Sequence, residues 1–164
     1  MWKNLTIFLA ALTLIACATT EPPPVINEEA AEEIRAQARQ DDGVIEVVPL
    51  ADGDVQILLE RANAAEARGE LEEARRLLIQ AADLAPRDPR IWQHLAEIEL
   101  ETGAFQAAIE HALKSFHLGP QVGPLCSRNW LTVAEAQSAL ENAHLASAAS
   151  ERAEACPVRA RERL

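Results

Sequence analysis

A pattern repeats 34 residues apart between Leu58 and Pro120, and it limits the possible folds of this chain more than any other feature. Leu58 recurs as Trp92, Ala62 as Ala96, Gly69 as Gly103 and Leu71 as Phe105; Ala74 recurs as Ala108, Leu84 as Leu118 and Pro86 as Pro120. Five of these seven pairs are identities, and they are Ala, Gly, Leu and Pro rather than charges, so what repeats is packing and turn geometry. A fixed period of this length marks stacked helical hairpins, none of which buries its apolar face alone. Leu71, Ala74, Leu78 and Ala81 form one apolar helical stripe. Ala62 and Ala74 are small residues suited to a close helix crossing, and Gly69 and Gly103 fall where a tight turn needs φ > 0. Aromatics make up only 4% of a chain that is 49% hydrophobic, so its core is Ala and Leu, which suits closely packed helices and argues against a β-sandwich.

The spacing predicts a first helix capped by Asp54 and running to about Arg68, then one from about Glu70 to Leu84. After Pro86, Asp88 caps and Pro89 starts the second unit, with Ile91 to about Thr102 and Phe105 to Leu118 helical. This pattern resembles the tetratricopeptide repeat family, closely over Val55 to Pro120 and more loosely beyond about Cys126. The resemblance implies an all-α fold of two clear hairpins and one degenerate one over residues 55–164, in a short right-handed superhelix. Arg61, Ala65, Glu99 and Ala112 stand where the family has large or aromatic residues, which predicts a lightly packed stack. An insertion of about four residues, Gln121 to Cys126, precedes Trp130. Helices are expected from Ser127 to about Leu140 and from Ala143 to about Ala155, with Glu141-Asn142 in place of the turn glycine. This third unit is a worn repeat or a capping pair.

Residues 1–16 read as a targeting segment: Lys3, then 12 apolar-rich residues from Leu5 to Ala16, fewer than the roughly 20 that span a bilayer. Leu14-Ile15-Ala16-Cys17 resembles the lipobox of bacterial lipoproteins. That resemblance implies cleavage before Cys17 and its acylation, palmitate included. At about 0.8 kcal/mol per buried CH₂ this is a lasting anchor. Ala18 implies sorting to the outer membrane, facing the periplasm of a Gram-negative cell. Without Lys3 the chain has 14 basic and 26 acidic side chains, a net charge of −12, which disfavours nucleic acid.

Residues 17–54 then form a linker. Thr19 to Pro24 is Pro-rich and extended, and Asn27 to Arg39 is a marginal helix or a solvated linker, with Glu32 and Arg35 an i,i+3 pair. Val44 to Leu50 is a β-branched segment ended by Pro49; it caps the first repeat, pairs with a second copy, or adds to a partner's sheet.

Cys126 sits at the start of the first helix of this hairpin and Cys156 at the end of the second; in an antiparallel hairpin those ends meet, and the two remain as a pair in an oxidising compartment once Cys17 is lipidated. A disulfide between them is expected; a metal site lacks ligands. His94, His111, His117 and His144 have no catalytic spacing, and no nucleophile elbow or phosphate loop occurs, so the expectation is a non-enzyme with no cofactor. The resemblance implies a concave partner groove carrying Gln56, Leu59, Asn63 and Glu66 from the first unit and Arg90, Gln93, Glu97 and Glu101 from the second. Its acidic tilt suits a peptide bearing Lys or Arg, although the same side chains also suit a solvated face. The function expected is an outer-membrane-anchored scaffold or adaptor for a protein partner in outer-membrane protein, secretin or pilus, or cell-wall assembly. The alternatives are a self-associating envelope lipoprotein and a regulator of an envelope enzyme.

Overall fold

The computed structural model describes residues 32–36 and 53–156. Among the described residues, a helical turn at 32–36 is followed by six helices: α1 (Gly53–Glu66), α2 (Leu71–Leu84), α3 (Pro89–Glu101), α4 (Phe105–Leu118), α5 (Pro124–Ala139) and α6 (Ala143–Glu154). They pair as hairpins α1–α2, α3–α4 and α5–α6, and the hairpins stack through α2 on α3 and α4 on α5, with α3 also against α5. Among the described residues there is no strand.

All three hairpins turn in the same way. The N–H of Gly69 donates to Glu66 O at 2.8 Å and that of Glu70 to Ala65 O at 2.9 Å. Gly103 and Ala104 repeat this with Leu100 O and Glu99 O, and Glu141 and Asn142 with Ser138 O and Gln137 O. This pair of bonds satisfies the last helical carbonyls and requires a left-handed residue. Gly69 (φ 72°) and Gly103 (φ 79°) supply it freely, but Glu141 (φ 61°) carries a Cβ there. The third unit is thus a repeat in backbone as well as position, closed by a strained turn. Replacing Glu141 by Gly relieves a left-handed cost of about 1–2 kcal/mol, offset in part by the greater freedom of glycine in the unfolded chain. The expected net gain is about 0.5–1 kcal/mol, read as a higher urea midpoint; an unchanged or lower midpoint would contradict it.

The core is built from alanine and leucine. Ala62, Ala65, Ala74, Leu77, Leu78 and Ala81 pack with Ile91, Leu95 and Ile98 between the first two hairpins. Ala96, Ala112, Trp130, Val133, Ala149 and Ala153 do so around the third. Glu99, in a slot expected to be aromatic, is buried, with Oε2 2.6 Å from His111 Nδ1 and Oε1 3.6 Å from Arg75 Nε.

Some boundaries differ from expectation. Asp54 lies in the first turn of α1 rather than capping it, and the helix stops at Glu66. Asp88 does cap α3, accepting the Arg90 N–H at 3.0 Å. α5 begins three residues before Ser127, because Gly123 (φ 82°) reverses the chain and Pro124 fits the first helical position. Cys126 is therefore inside the first turn of α5. Its sulfur lies 1.98 Å from that of Cys156, with the Cα atoms 5.7 Å apart. Gly123 N–H donates to Cys156 O at 2.6 Å beside them.

Residues 32–36 are helical and docked, rather than a solvated linker. Ile34, 7% exposed, joins a cluster with Leu100, Phe105, Ala108, Ile109 and Ala136. Cys17, the Pro-rich spacer and the Val44–Leu50 segment lie outside the described residues. Among the described residues no helix is long and apolar enough to cross a membrane.

Candidate functional site

α3 places Arg90, Gln93, His94, Glu97 and Glu101 at helical spacings of three and four, so they form one polar face. Glu97 stands at its centre and is completely buried. Arg128 on α5 grips its carboxylate from one side: Nη2 is 2.7 Å from both oxygens and Nε 3.0 Å from Oε1. Gln93 Nε2 donates to Glu97 Oε1 at 2.9 Å and to Thr132 Oγ1 at 2.8 Å, and Thr132 Oγ1 donates to Arg128 O at 3.0 Å. Arg35 approaches from the other side. Its Nε donates to Glu97 Oε2 at 3.1 Å and its Nη2 to Glu66 Oε1 at 2.6 Å, with Glu101 Oε1 3.5 Å away. Glu66 Oε2 lies 2.6 Å from His94 Nε2. One network thus joins α1, α3, α5 and the N-terminal segment.

Burial alone would push the Glu97 carboxyl upward, but the Arg128 and Arg35 charges and the Gln93 hydrogen bond hold it below the usual carboxylate range. Glu66 is likewise lowered: burial opposes ionisation, and the His94 contact and Arg35 outweigh it. For Arg35, burial opposes the charge, while Glu97 and Glu66 raise its affinity for the proton. The sign for stability follows. A carboxylate lowered in the folded state contributes stability that is present above its unfolded value, about 4.3, and is lost as pH falls through its lowered value. Urea midpoints are expected to fall as pH drops below about 4, and to fall less in a Glu66→Gln variant. Identical acid dependence in the variant would contradict the assignment.

Beside the network lies a cavity of about 450 Å³, lined by Leu59, Asn63, Glu66, Arg90 and Glu97 together with His94, Arg35 and Arg128. An adjoining one of about 440 Å³ is lined by Asn63, Glu66, Ala67 and Glu101 along with Glu32 and Arg35. Of the eight groove residues expected, Gln93 is buried beneath the surface as a strut, and Gln56 lines neither cavity, its amide bonding Glu60 on its own helix at 3.1 Å. Arg90 lines the first while its guanidinium pairs with Asp88 at 2.6 Å. Four network residues were not anticipated in the groove: Arg35, His94, Arg128 and Thr132. Arg128 and Thr132 follow Arg90 and His94 by 38 residues, the period plus the insertion, so extending the register through Gln121–Cys126 finds both positions. Among the described residues no three His, Cys, Asp or Glu side chains are grouped to hold a metal.

The repeat is also detected by comparison. The tetratricopeptide repeat family profile matches residues 55–98. No curated protein matches the chain. Among solved structures, the globular C-terminal domain of P. aeruginosa LpoP is similar, with a TM-score of 0.60 and 26% identity over 63% of this chain and 97% of that domain.

Proposed function

We propose that this stack of tetratricopeptide-type hairpins is the partner-binding domain of an envelope lipoprotein, a non-catalytic adaptor that takes a protein partner in the groove along α1, α3 and α5. The observation that carries the reading is the polar face of α3, where two adjoining cavities open beside a network spanning three hairpins. A scaffold whose only task was to pack would fill those positions with apolar side chains, since buried ion pairs contribute little net stability against well-packed hydrophobic residues. The likeness to the LpoP domain supports an adaptor of this kind, and the lipobox-like Cys17 supports anchoring in the outer membrane with the repeats in the periplasm. The Cys126–Cys156 contact fits that oxidising compartment.

The test is charge reversal in the groove. With the tagged full chain expressed in its membrane, crosslinked and purified, a Glu66→Lys variant is expected to lose the protein recovered with the wild type. Gln80→Lys, on the exposed face of α2, is expected to retain it. Equal recovery by both variants, or recovery of the chain alone, would remove the groove reading; the second result would favour self-association.

A further inference from the structure

The groove is already occupied, and its occupant shows what it accepts. Arg35 belongs to no repeat, yet its guanidinium reaches Glu97 on α3 and Glu66 on α1 through different nitrogens, 3.1 and 2.6 Å away, and is only 21% exposed. The preceding residue, Ile34, is buried in the adjoining apolar cluster with Leu100 and Ala136. An aliphatic side chain and an arginine, adjacent on one helical turn, therefore enter two different kinds of receptor side by side. We propose that the groove is a receptor for an aliphatic-arginine pair on a short helix, that Ile34-Arg35 fills it in cis, and that the partner protein displaces this segment by presenting the same pair. The inference rests on the adaptor reading above and names its partner's chemistry.

Two observations carry it. The two carboxylates are bridged by separate donors of one planar fork, a reach that an ammonium, a single point of charge, does not reproduce. The cavities beside Arg35, lined by Asn63, Glu66 and Glu32, leave room for ligand groups beyond the Ile34-Arg35 pair. Tethering favours the cis contact, because a short linker raises the effective concentration to about the millimolar range. A ligand in trans that also fills the cavities outcompetes this contact, and until then the tether shields Glu66 and Glu97 from weaker cationic segments.

The probe is a fluorescein-labelled synthetic peptide of residues 28–40, added to the full chain in detergent micelles. The Arg35→Ala chain is expected to bind it about tenfold or more tightly than the wild type, since removing the cis ligand raises the competent fraction. Peptides with Ala or Lys in place of Arg35 are expected not to bind. Equal affinity for the two chains, or equal binding of the Lys peptide, overturns the proposal. Should Arg35→Ala lower the folded fraction, hydrogen exchange on the wild type decides. Excess peptide is expected to accelerate exchange at residues 32–36 while leaving the α2 and α4 amides unchanged, and no acceleration refutes cis occupancy. Sedimentation showing a dimer that the peptide dissociates would assign the segment to a second copy and overturn the cis arrangement. Failure of these assays leaves the charge-reversal result standing, and loss of the cellular partner leaves peptide competition standing.

Discussion

Replacing Glu97 by Ala is expected to cost the repeat domain about 3 kcal/mol, the low end of the penalty for removing one partner of a buried ion pair. The loss is large because Glu97 is the common acceptor for Arg128, Arg35 and Gln93, so its removal leaves two guanidinium groups and an amide facing each other in the groove. It is held to the low end because Arg128 and Arg35 are 31% and 21% exposed and recover some hydration. Glu97→Gln is expected to cost less, since it keeps the volume and one acceptor. Glu110→Ala, at an exposed position on α4, is expected to change stability by no more than about 0.5 kcal/mol. Urea denaturation of the three variants measures this. Equal losses for Glu97→Ala and Glu110→Ala would mean that the network contributes nothing to the fold.

The second large effect belongs to the cysteines. A crosslink across the 30-residue separation of Cys126 and Cys156 is worth about 3–4 kcal/mol by the chain-entropy relation. For a domain of about 100 residues this corresponds to a fall in Tm of roughly 15–20 °C on reduction, or in a Cys126→Ser, Cys156→Ser variant. The effect is expected to concentrate in α6, whose buried side chains are only Ala149 and Ala153 and whose Leu145 is exposed. Reduction is therefore expected to raise hydrogen exchange in α6 before α2 and α3, which hold the leucine-rich core. Coincident oxidised and reduced melts would contradict the disulfide's role.

Most of the fold was legible in the sequence because the features that determine it are local and repeat. Gly69, Gly103 and Pro89 mark backbone conformations that few other residues adopt, and the Ala and Leu identities mark helix crossings. The third hairpin was harder to see because Glu141 adopts the left-handed turn without a glycine to announce it, and because the insertion shifts the register by four residues. The groove was legible only where the repeat register carried over. Leu59, Asn63, Glu66, Arg90 and Glu97 stand along one cavity, but periodicity does not distinguish a solvated polar residue from a buried one. Gln93 and Glu97 are buried because Arg128 and Arg35 cover them, and those partners lie 35 and 62 residues away along the chain from Gln93 and Glu97 respectively. The tether was the least legible part. Between Asn27 and Arg39, Ile34 is the one large apolar side chain in a run of alanines and charges, too little to predict docking, and what holds it is the complementarity of Arg35 to carboxylates on two other helices.

Site-specific photo-crosslinking in living cells tests the central claim, that the face of α3 opposite the core receives a protein. A probe at Asn63, which lines both cavities, is compared with one at Gln80 on the exposed side of α2. A discrete adduct with a second protein from Asn63, absent from Gln80 and lost in the Glu66→Lys background, is the predicted result. Adducts of equal yield from both positions, or only adducts of the chain with itself, would contradict it.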